Sequence, residues 1–256
     1  MRPLFAYIRA GYDRRSLYAL VALAVTYAAV GVVFNHLIDL SRGMDWLLGG
    51  IWAFMTLTLL WGFDVRRDVR LAAVAFAGGL VIEWWGTTTS IWTYYTDERP
   101  PIWILPAWPV AALTIERLAM VTERAFPRRL PAAPLWWVAF PGFVAWMTHF
   151  AWPSVGTPST YVIVALMLGV LATSTDRRRD LAILVAGTLL GVFLEYWGTS
   201  RWCWRYYTKE VPPPVAAVAH GFASVAFARG VWAAEKAWAW RVGRRPGPDE
   251  APVVPG

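Results

Sequence analysis

Long apolar stretches alternate with short polar segments along most of the chain. A helix that crosses a bilayer needs about 20 mainly apolar residues. Eight stretches approach or exceed this length, and they predict spans at 16–39, 45–63, 71–92, 101–122, 134–151, 158–174, 181–202 and 213–236. The pattern therefore predicts an all-α fold, that of a polytopic integral membrane protein with eight transmembrane helices.

Composition favours the same fold class. Hydrophobic residues make up 57% of the 256 residues, and charged residues only 16%, whereas a soluble domain carries about 25% charged residues. The chain also has 18 Trp, a residue that is enriched where a membrane meets water. The single cysteine, Cys203, excludes an intrachain disulfide.

The basic residues predict the orientation of the spans. With a cytoplasmic N-terminus, 19 of the 24 Lys and Arg residues fall in the segments that face the cytoplasm. This asymmetry is the positive-inside signal of a multi-pass protein of the cell inner membrane with both termini in the cytoplasm. The net charge of +7 is thus explained by topology, and we expect no nucleic-acid partner.

Both ends of the chain fit this arrangement. The first apolar stretch starts near Ser16 without a small-residue cleavage pattern after it, so we expect a membrane helix and not a cleavable signal peptide. Residues 241–256 are polar and rich in Pro and Gly. This composition predicts a disordered cytoplasmic tail.

A long phrase of the sequence occurs twice, 112 residues apart. "EWWGTTTSIWTYYT" starts at Glu83 and "EYWGTSRWCWRYYT" at Glu195, and the match extends without a gap from Asp64 to Arg117 in the first copy. The sequence therefore predicts an internal duplication, with four-helix halves at 1–128 and 129–240. Four is an even number of spans, so both halves have one orientation, as in a parallel repeat.

Each copy carries a glutamate inside a predicted span. Gly79, Glu83 and Gly86 lie on one helix face, as do Gly191, Glu195 and Gly198, and small residues on that face allow another helix to approach. Each carboxylate should lie roughly 13 Å from the outer end of its span. Ionisable groups at such depth are functional or paired.

The halves differ at one position close to these carboxylates. Trp108 follows the first copy and His220 takes the matching place in the second. Because imidazole exchanges protons near neutral pH, Glu195 and His220 form the favoured acid–base pair, with Glu83 as a third candidate catalytic residue. A structural hydrogen bond that locks two helices together is the open alternative.

Aromatic residues crowd the predicted outer boundary at matched positions. An interfacial belt explains Trp and Tyr there in general, but ring faces could also line a slot for an isoprenoid chain and stabilise a carbocation. The candidate substrate-binding residues are Trp84, Trp85, Trp92, Tyr94, Tyr95, Trp108, Tyr196, Trp197, Trp204, Tyr206 and Tyr207.

The three histidines raise the question of a metal. His36, His149 and His220 all fall in the outer third of the predicted spans, where His and Glu could act as ligands. No close-spaced ligand motif accompanies them. We therefore expect neither a metal nor another cofactor.

The phrases "EWWGTTTSIWTYYT…PPIWILPAW" and "EYWGTSRWCWRYYT…PPPVAAVAH" resemble the carotenoid-biosynthesis membrane proteins, the family of carotenoid 1,2-hydratases. The resemblance covers about 40 residues of each half. The family usually has Gly where this chain has Ser90 or Trp202, and Phe-Gly before the tyrosines. The resemblance implies water addition to a terminal isoprenoid double bond: a protonated Glu protonates the alkene, and a Glu or His takes a proton from water.

Two other functions remain open. A non-catalytic pigment- or lipid-binding subunit of a larger membrane complex would use the same aromatic slot. A small-solute transporter would suit parallel repeats with membrane carboxylates. However, apart from Glu116 and Glu235 towards the inner ends, no Glu or Asp falls in the inner half of any predicted span, which argues against a polar path across the bilayer.

Overall fold

The computed structural model describes residues 11–37, 46–174 and 176–241. It is mainly helical, with eight α-helices in the described residues, each overlapping one predicted span. They are α1 (Arg14–Val33), α2 (Trp46–Leu60), α3 (Val65–Thr88), α4 (Ala107–Ala125), α5 (Ala132–Phe150), α6 (Pro158–Ala172), α7 (Arg177–Ser200) and α8 (Pro214–Arg241). The predicted all-α class is confirmed.

Within the described parts of the chain, five helical segments are long and apolar enough to cross a membrane: α1, α3, the segment Ile102–Ala125 that contains α4, α7 and α8. The apolar helices α2 and α6 are shorter, with 15 residues each. α1 is exposed along most of its length, as a lipid-facing helix would be. These are the helices of a membrane protein, while the crossing of all eight stays a prediction.

Helices α3 and α7 begin earlier than predicted. The aspartates that precede them, Asp64 and Asp176, accept hydrogen bonds from backbone N–H groups of the first turn, at 2.8 and 3.0 Å. Such N-caps satisfy donors that the helix itself leaves unpaired. The helices therefore start at Val65 and Arg177, before the predicted positions 71 and 181.

The earlier start brings two aspartates into the first turns, where both are buried. Asp68 pairs with Arg117 of α4, and both side chains are 1% exposed. Asp180 pairs with Arg229 of α8. The inference that the inner parts of the spans lack acids is wrong for α3 and α7. These ion pairs mark one end of the bundle, called the Asp–Arg end below.

The opposite end carries a small sheet that the sequence did not predict. Strands β1 (Trp92–Tyr94) and β2 (Trp204–Tyr206) pair antiparallel, with Thr93 opposite Arg205. The predicted spans 71–92 and 181–202 extend too far at their C-terminal ends, because α3 ends at Thr88 and α7 at Ser200. This end of the bundle is called the ribbon end.

The first helices of the two predicted halves, α1 and α5, pack differently. In α5, Trp136 and Phe140 are fully buried, and Phe143 stacks on Phe222 of α8 with ring centroids 4.6 Å apart. In α1 only Ser16 and Ala19 are buried. The division at 128/129 falls between α4 and α5 and stays a prediction. The predicted tail lies outside the described residues, apart from Arg241.

Candidate functional site

The carboxylate of Glu83 lies beneath the ribbon, and Glu83 is only 3% exposed. Trp92 Nε1 donates to Oε2 at 3.1 Å. The Tyr94 hydroxyl donates to Oε1 at 3.0 Å, and Trp108 Nε1 donates to the same oxygen at 3.1 Å. We call these four residues the first cluster. Helix α3, strand β1 and helix α4 each contribute to it.

The carboxylate of Glu195 has matching surroundings and is 5% exposed. Trp204 Nε1 and the Tyr206 hydroxyl donate to Oε2 at 2.9 and 3.0 Å. His220 Nε2 lies 3.0 Å from Oε1. These four residues are the second cluster. The structure thus brings together the pair Glu195–His220 that the sequence singled out.

The two clusters are in contact with each other. The Trp108 ring stacks on the His220 ring, with centroids 5.8 Å apart and an angle of 18° between the planes. Across the ribbon, Trp92 packs on Tyr206 at 5.9 Å and Tyr94 on Trp204 at 5.8 Å. All three predicted catalytic residues therefore belong to one continuous site.

Glycines on α3 and α7 create the space for the donors. A Cβ atom at Gly86 would lie 2.0 Å from the Trp92 ring, and one at Gly198 would lie 1.9 Å from the Trp204 ring. Gly79 is similarly close to Trp108, at 2.4 Å. The small-residue face predicted for these helices is therefore the face on which the carboxylates lie, and it packs against indole rings.

Both carboxylates lie on the wall of one cavity of about 930 Å³, whose lining is almost wholly apolar. Side chains of α1 to α8 and of both strands contribute to the wall. Cavities of this volume hold large organic ligands. The acidic and basic side chains on this wall are those of Glu83, Glu195, His220 and Arg229.

Seven of the eleven predicted substrate-binding residues line the cavity. They are Trp85, Trp92, Tyr94, Trp108, Trp197, Trp204 and Tyr206.

Four predicted substrate-binding residues lie elsewhere. Trp84 and Tyr196 each follow a cluster glutamate by one position, which is 100° around the helix, so their side chains are exposed on the outer surface. Tyr95 packs on Trp103, and the Tyr207 hydroxyl donates to the Phe150 carbonyl at 2.8 Å.

Several cavity residues were not predicted from the sequence, and all but Trp103 belong to helices outside the repeated phrase. They include Tyr27, Trp52, Trp103, Phe143, Met147 and Phe150. Their helices are apolar on all sides, so periodicity does not distinguish the cavity face from the lipid face. Trp103 had a local signal, because it falls between the Pro pair and Trp108, and it contacts Tyr94 edge to face at 5.3 Å.

The histidines do not share a site. His36 and His149 are exposed, whereas His220 lies in the second cluster. Among residues 11–37, 46–174 and 176–241, no three His, Cys, Asp or Glu side chains come together as a possible metal site.

The clusters differ in what the third partner can do. Each carboxylate has three hydrogen-bonding partners, which offsets the cost of its burial. Burial, and then the nearby carboxylates, raise the pKa of the Tyr94 and Tyr206 phenols on the ribbon well above the usual range, so both remain donors. The Trp108 indole only donates, whereas the His220 imidazole can also accept or carry a proton.

Comparisons of the chain with protein-family models, with curated proteins and with solved structures found no match.

Proposed function

We propose that this protein binds an isoprenoid- or carotenoid-type lipid and adds water to its terminal double bond. One observation carries the proposal: a single apolar cavity has two buried carboxylates on its wall, and one of them contacts an imidazole. Apolar walls suit a hydrocarbon substrate, and a carboxylate–imidazole pair suits proton transfer. Hydration needs no redox partner and no cofactor.

The proposed reaction assigns both proton transfers to the second cluster. A proton from the Glu195–His220 pair forms a C–H bond at the less substituted alkene carbon, and the π electrons leave a tertiary cation. The oxygen of a water molecule then bonds to that cation. Its extra proton returns to Glu195–His220, so the pair is restored and the product is a tertiary alcohol.

The first cluster would stabilise the cation. The aromatic faces of Trp108 and Trp92 attract positive charge, and the Glu83 carboxylate adds a fixed negative charge in a low-dielectric site. Since Trp108 cannot accept a proton, this cluster is not proposed to exchange one.

The resemblance to carotenoid 1,2-hydratases remains part of the proposal. Ser90 and Trp202 have φ angles of 59° and 61°, the left-handed region that favours glycine. They occupy the places where that family usually has Gly. A backbone that suits glycine at both places supports the resemblance.

We also propose the membrane arrangement that the sequence predicts: two duplicated four-helix halves, eight spans and both termini in the cytoplasm of the inner membrane. Residues that pair at the centre of the ribbon, Thr93 and Arg205, are 112 positions apart, as are the stacked Trp108 and His220. A pseudo-two-fold axis through both pairs would account for this. The ribbon end would then be the outer end.

The test is turnover with a defined substrate. Purified protein in mild detergent would be incubated with an acyclic isoprenoid that has a terminal double bond, in water labelled with ¹⁸O. We expect one labelled oxygen in the product by mass spectrometry. A product without the label, or unchanged substrate, from a folded protein that retains bound lipid would reject the hydratase function.

A non-catalytic pigment- or lipid-binding subunit is the alternative, favoured by the complete hydrogen bonding of both carboxylates. The three donors that bond to the Glu83 carboxylate would hold α3, β1 and α4 together around a ligand without any reaction. An absorption spectrum of the purified protein separates the functions, because a stoichiometric pigment without turnover indicates the binding subunit.

A further inference from the structure

We propose that the hydrocarbon tail of the lipid lies in a groove between α3, α6 and α8, which extends from the second cluster towards the Asp–Arg end. We define the tail groove by Ala77 and Val81 of α3, Leu166 and Gly169 of α6, and Ala226 and Gly230 of α8, which all line the cavity. The inference rests on the proposed function and adds where the substrate chain lies and how it reaches the site.

The length of the groove fits a chain and not a compact ligand. Along α8, the cavity wall runs from Ala216 past His220 to Ala233. The distance from His220 to Ala233 is about 20 Å at 1.5 Å per residue. On α3 the wall extends from Glu83 to Val74, about 13 Å along the helix by the same rise. A chain whose reactive end contacts His220 would thus extend through much of the bilayer.

One side of the groove is open. Ala77, Leu166 and Gly169 line the cavity and are exposed at the same time, Leu166 by 54%. At this height in the bundle the neighbouring medium would be the hydrocarbon core of the bilayer. A lipid could therefore enter sideways from the membrane without crossing a polar surface.

The opening lies between α3 and α6, beside the α3–α8 interface, and that interface has fewer polar contacts than the α4–α7 interface. Between α4 and α7, Arg179 pairs with both Glu116 and Glu123, and Arg178 donates to the Phe126 and Pro127 carbonyls at the end of α4.

Between α3 and α8, the described ion pair is Arg70–Glu235, which is exposed. Close contacts there involve Gly78 with Phe227 and Gly230 with Val74. The α3–α8 interface can thus separate with less loss of polar contacts than the α4–α7 interface.

The lining of the groove selects the chemistry of its occupant. The defining residues are all apolar, and Arg229, a basic residue on the cavity wall, is paired with Asp180. Burying a charged or strongly polar group along such a wall would be costly. The occupant is therefore the hydrocarbon tail of an isoprenoid-type lipid, not a peptide or a polar solute.

Filling the groove is the most direct test. Gly169 lines the cavity and has no atom within 4 Å of an added Cβ, so Gly169→Trp can add a large side chain there without a clash at its Cβ. Gly142 of α5 is also exposed with no atom within 4 Å of an added Cβ, and it does not line the cavity. Gly142→Trp is the matched control.

The probe is a geranylgeranyl ether with a diazirine at the end remote from its terminal double bond. Reconstituted in nanodiscs with the protein and illuminated, it should label peptides of α6 and the 226–233 segment of α8. Gly169→Trp should reduce this labelling roughly tenfold, the order of effect expected from overpacking a fitted site. Gly142→Trp should leave the labelling unchanged.

Each outcome decides one proposal. Labelling spread over lipid-facing helices such as α1, and equal in all three proteins, would overturn the tail groove even if hydration is observed. Labelling confined to the groove in a protein without turnover would support the groove while rejecting the hydratase.

Discussion

The two carboxylate clusters share two hydrogen-bonding partners and differ in the third. In both, a helix-borne glutamate accepts from an indole and a phenol on the adjacent strand. The remaining partner is Trp108 for Glu83 and His220 for Glu195. Nearly identical scaffolds therefore hold two acids whose capacity for proton exchange differs, because indole N–H is only a donor.

In the proposed function, this difference gives two clusters of similar geometry separate roles, proton transfer for the second and stabilisation of the cation for the first. Shared contacts fix both carboxylates in the same geometry, so the helices α3 and α7 are stabilised alike. In the proposed reaction, the unmatched partner determines which carboxylate takes part in acid–base chemistry. The following predictions test this division, from the largest expected effect to the smallest.

Removing the acid of each cluster should have unequal effects on turnover. Glu195→Gln keeps the shape of the side chain but loses its proton-transfer capacity, so we expect a loss of about a thousandfold, within the range of general acid–base catalysis. Glu83→Gln should reduce turnover by a smaller factor. The measurement is product formation by mass spectrometry at saturating substrate.

Thermal unfolding in detergent provides the control for this pair. Equal turnover in wild type and Glu195→Gln would end the assignment of acid–base chemistry to the second cluster. If both variants instead lose thermal stability by similar amounts while bound lipid is retained, the carboxylates have a structural role.

Exchanging the third partners, Trp108 and His220, should move the proton-transfer chemistry to the first cluster. His220→Trp should lower turnover by about a hundredfold or more, because it removes the proton-carrying partner. The double variant Trp108→His/His220→Trp places the imidazole beside Glu83. It should recover part of the activity and become sensitive to Glu83→Gln. Recovery that still depends on Glu195 would contradict the proposed division of roles.

Adding a methyl group at the cluster glycines should destabilise both halves similarly. Gly86→Ala and Gly198→Ala force the Trp92 and Trp204 rings to move, since the added Cβ would lie about 2 Å from each ring. The expected cost is about 1–3 kcal/mol each, measured by unfolding in detergent. Gly142→Ala has no neighbour within 4 Å and serves as the control.

The smallest expected effect concerns the two turns before the ribbon. Ser90→Gly should stabilise the protein by about 0.5–1 kcal/mol, because glycine adopts φ near 59° without steric cost. Trp202→Gly should gain less, since the Trp202 ring contacts the Arg205 guanidinium at 5.6 Å. Destabilisation by Ser90→Gly would show that its hydroxyl matters more than its backbone conformation.

The repeated phrase made the second cluster predictable to a large extent. Spacing placed Glu195 and His220 at similar depth on consecutive helices, and the structure has their side chains 3.0 Å apart. The ribbon was not predictable in the same way. Trp92 and Trp204 continue the apolar pattern of the helices before them, and their turn positions carry Ser90 and Trp202 where glycine would have indicated a turn.

The sequence by itself determined the helical membrane class, the approximate helix positions and the face on which each glutamate lies. These features follow from local composition and periodicity, which persist in any arrangement of the helices. Only the tertiary structure decided that Trp108 stacks on His220, that the ribbon covers both acids and that the cavity extends along α8. Such contacts join residues far apart in sequence on helices that are apolar on every side, so no local pattern distinguishes the contacting faces.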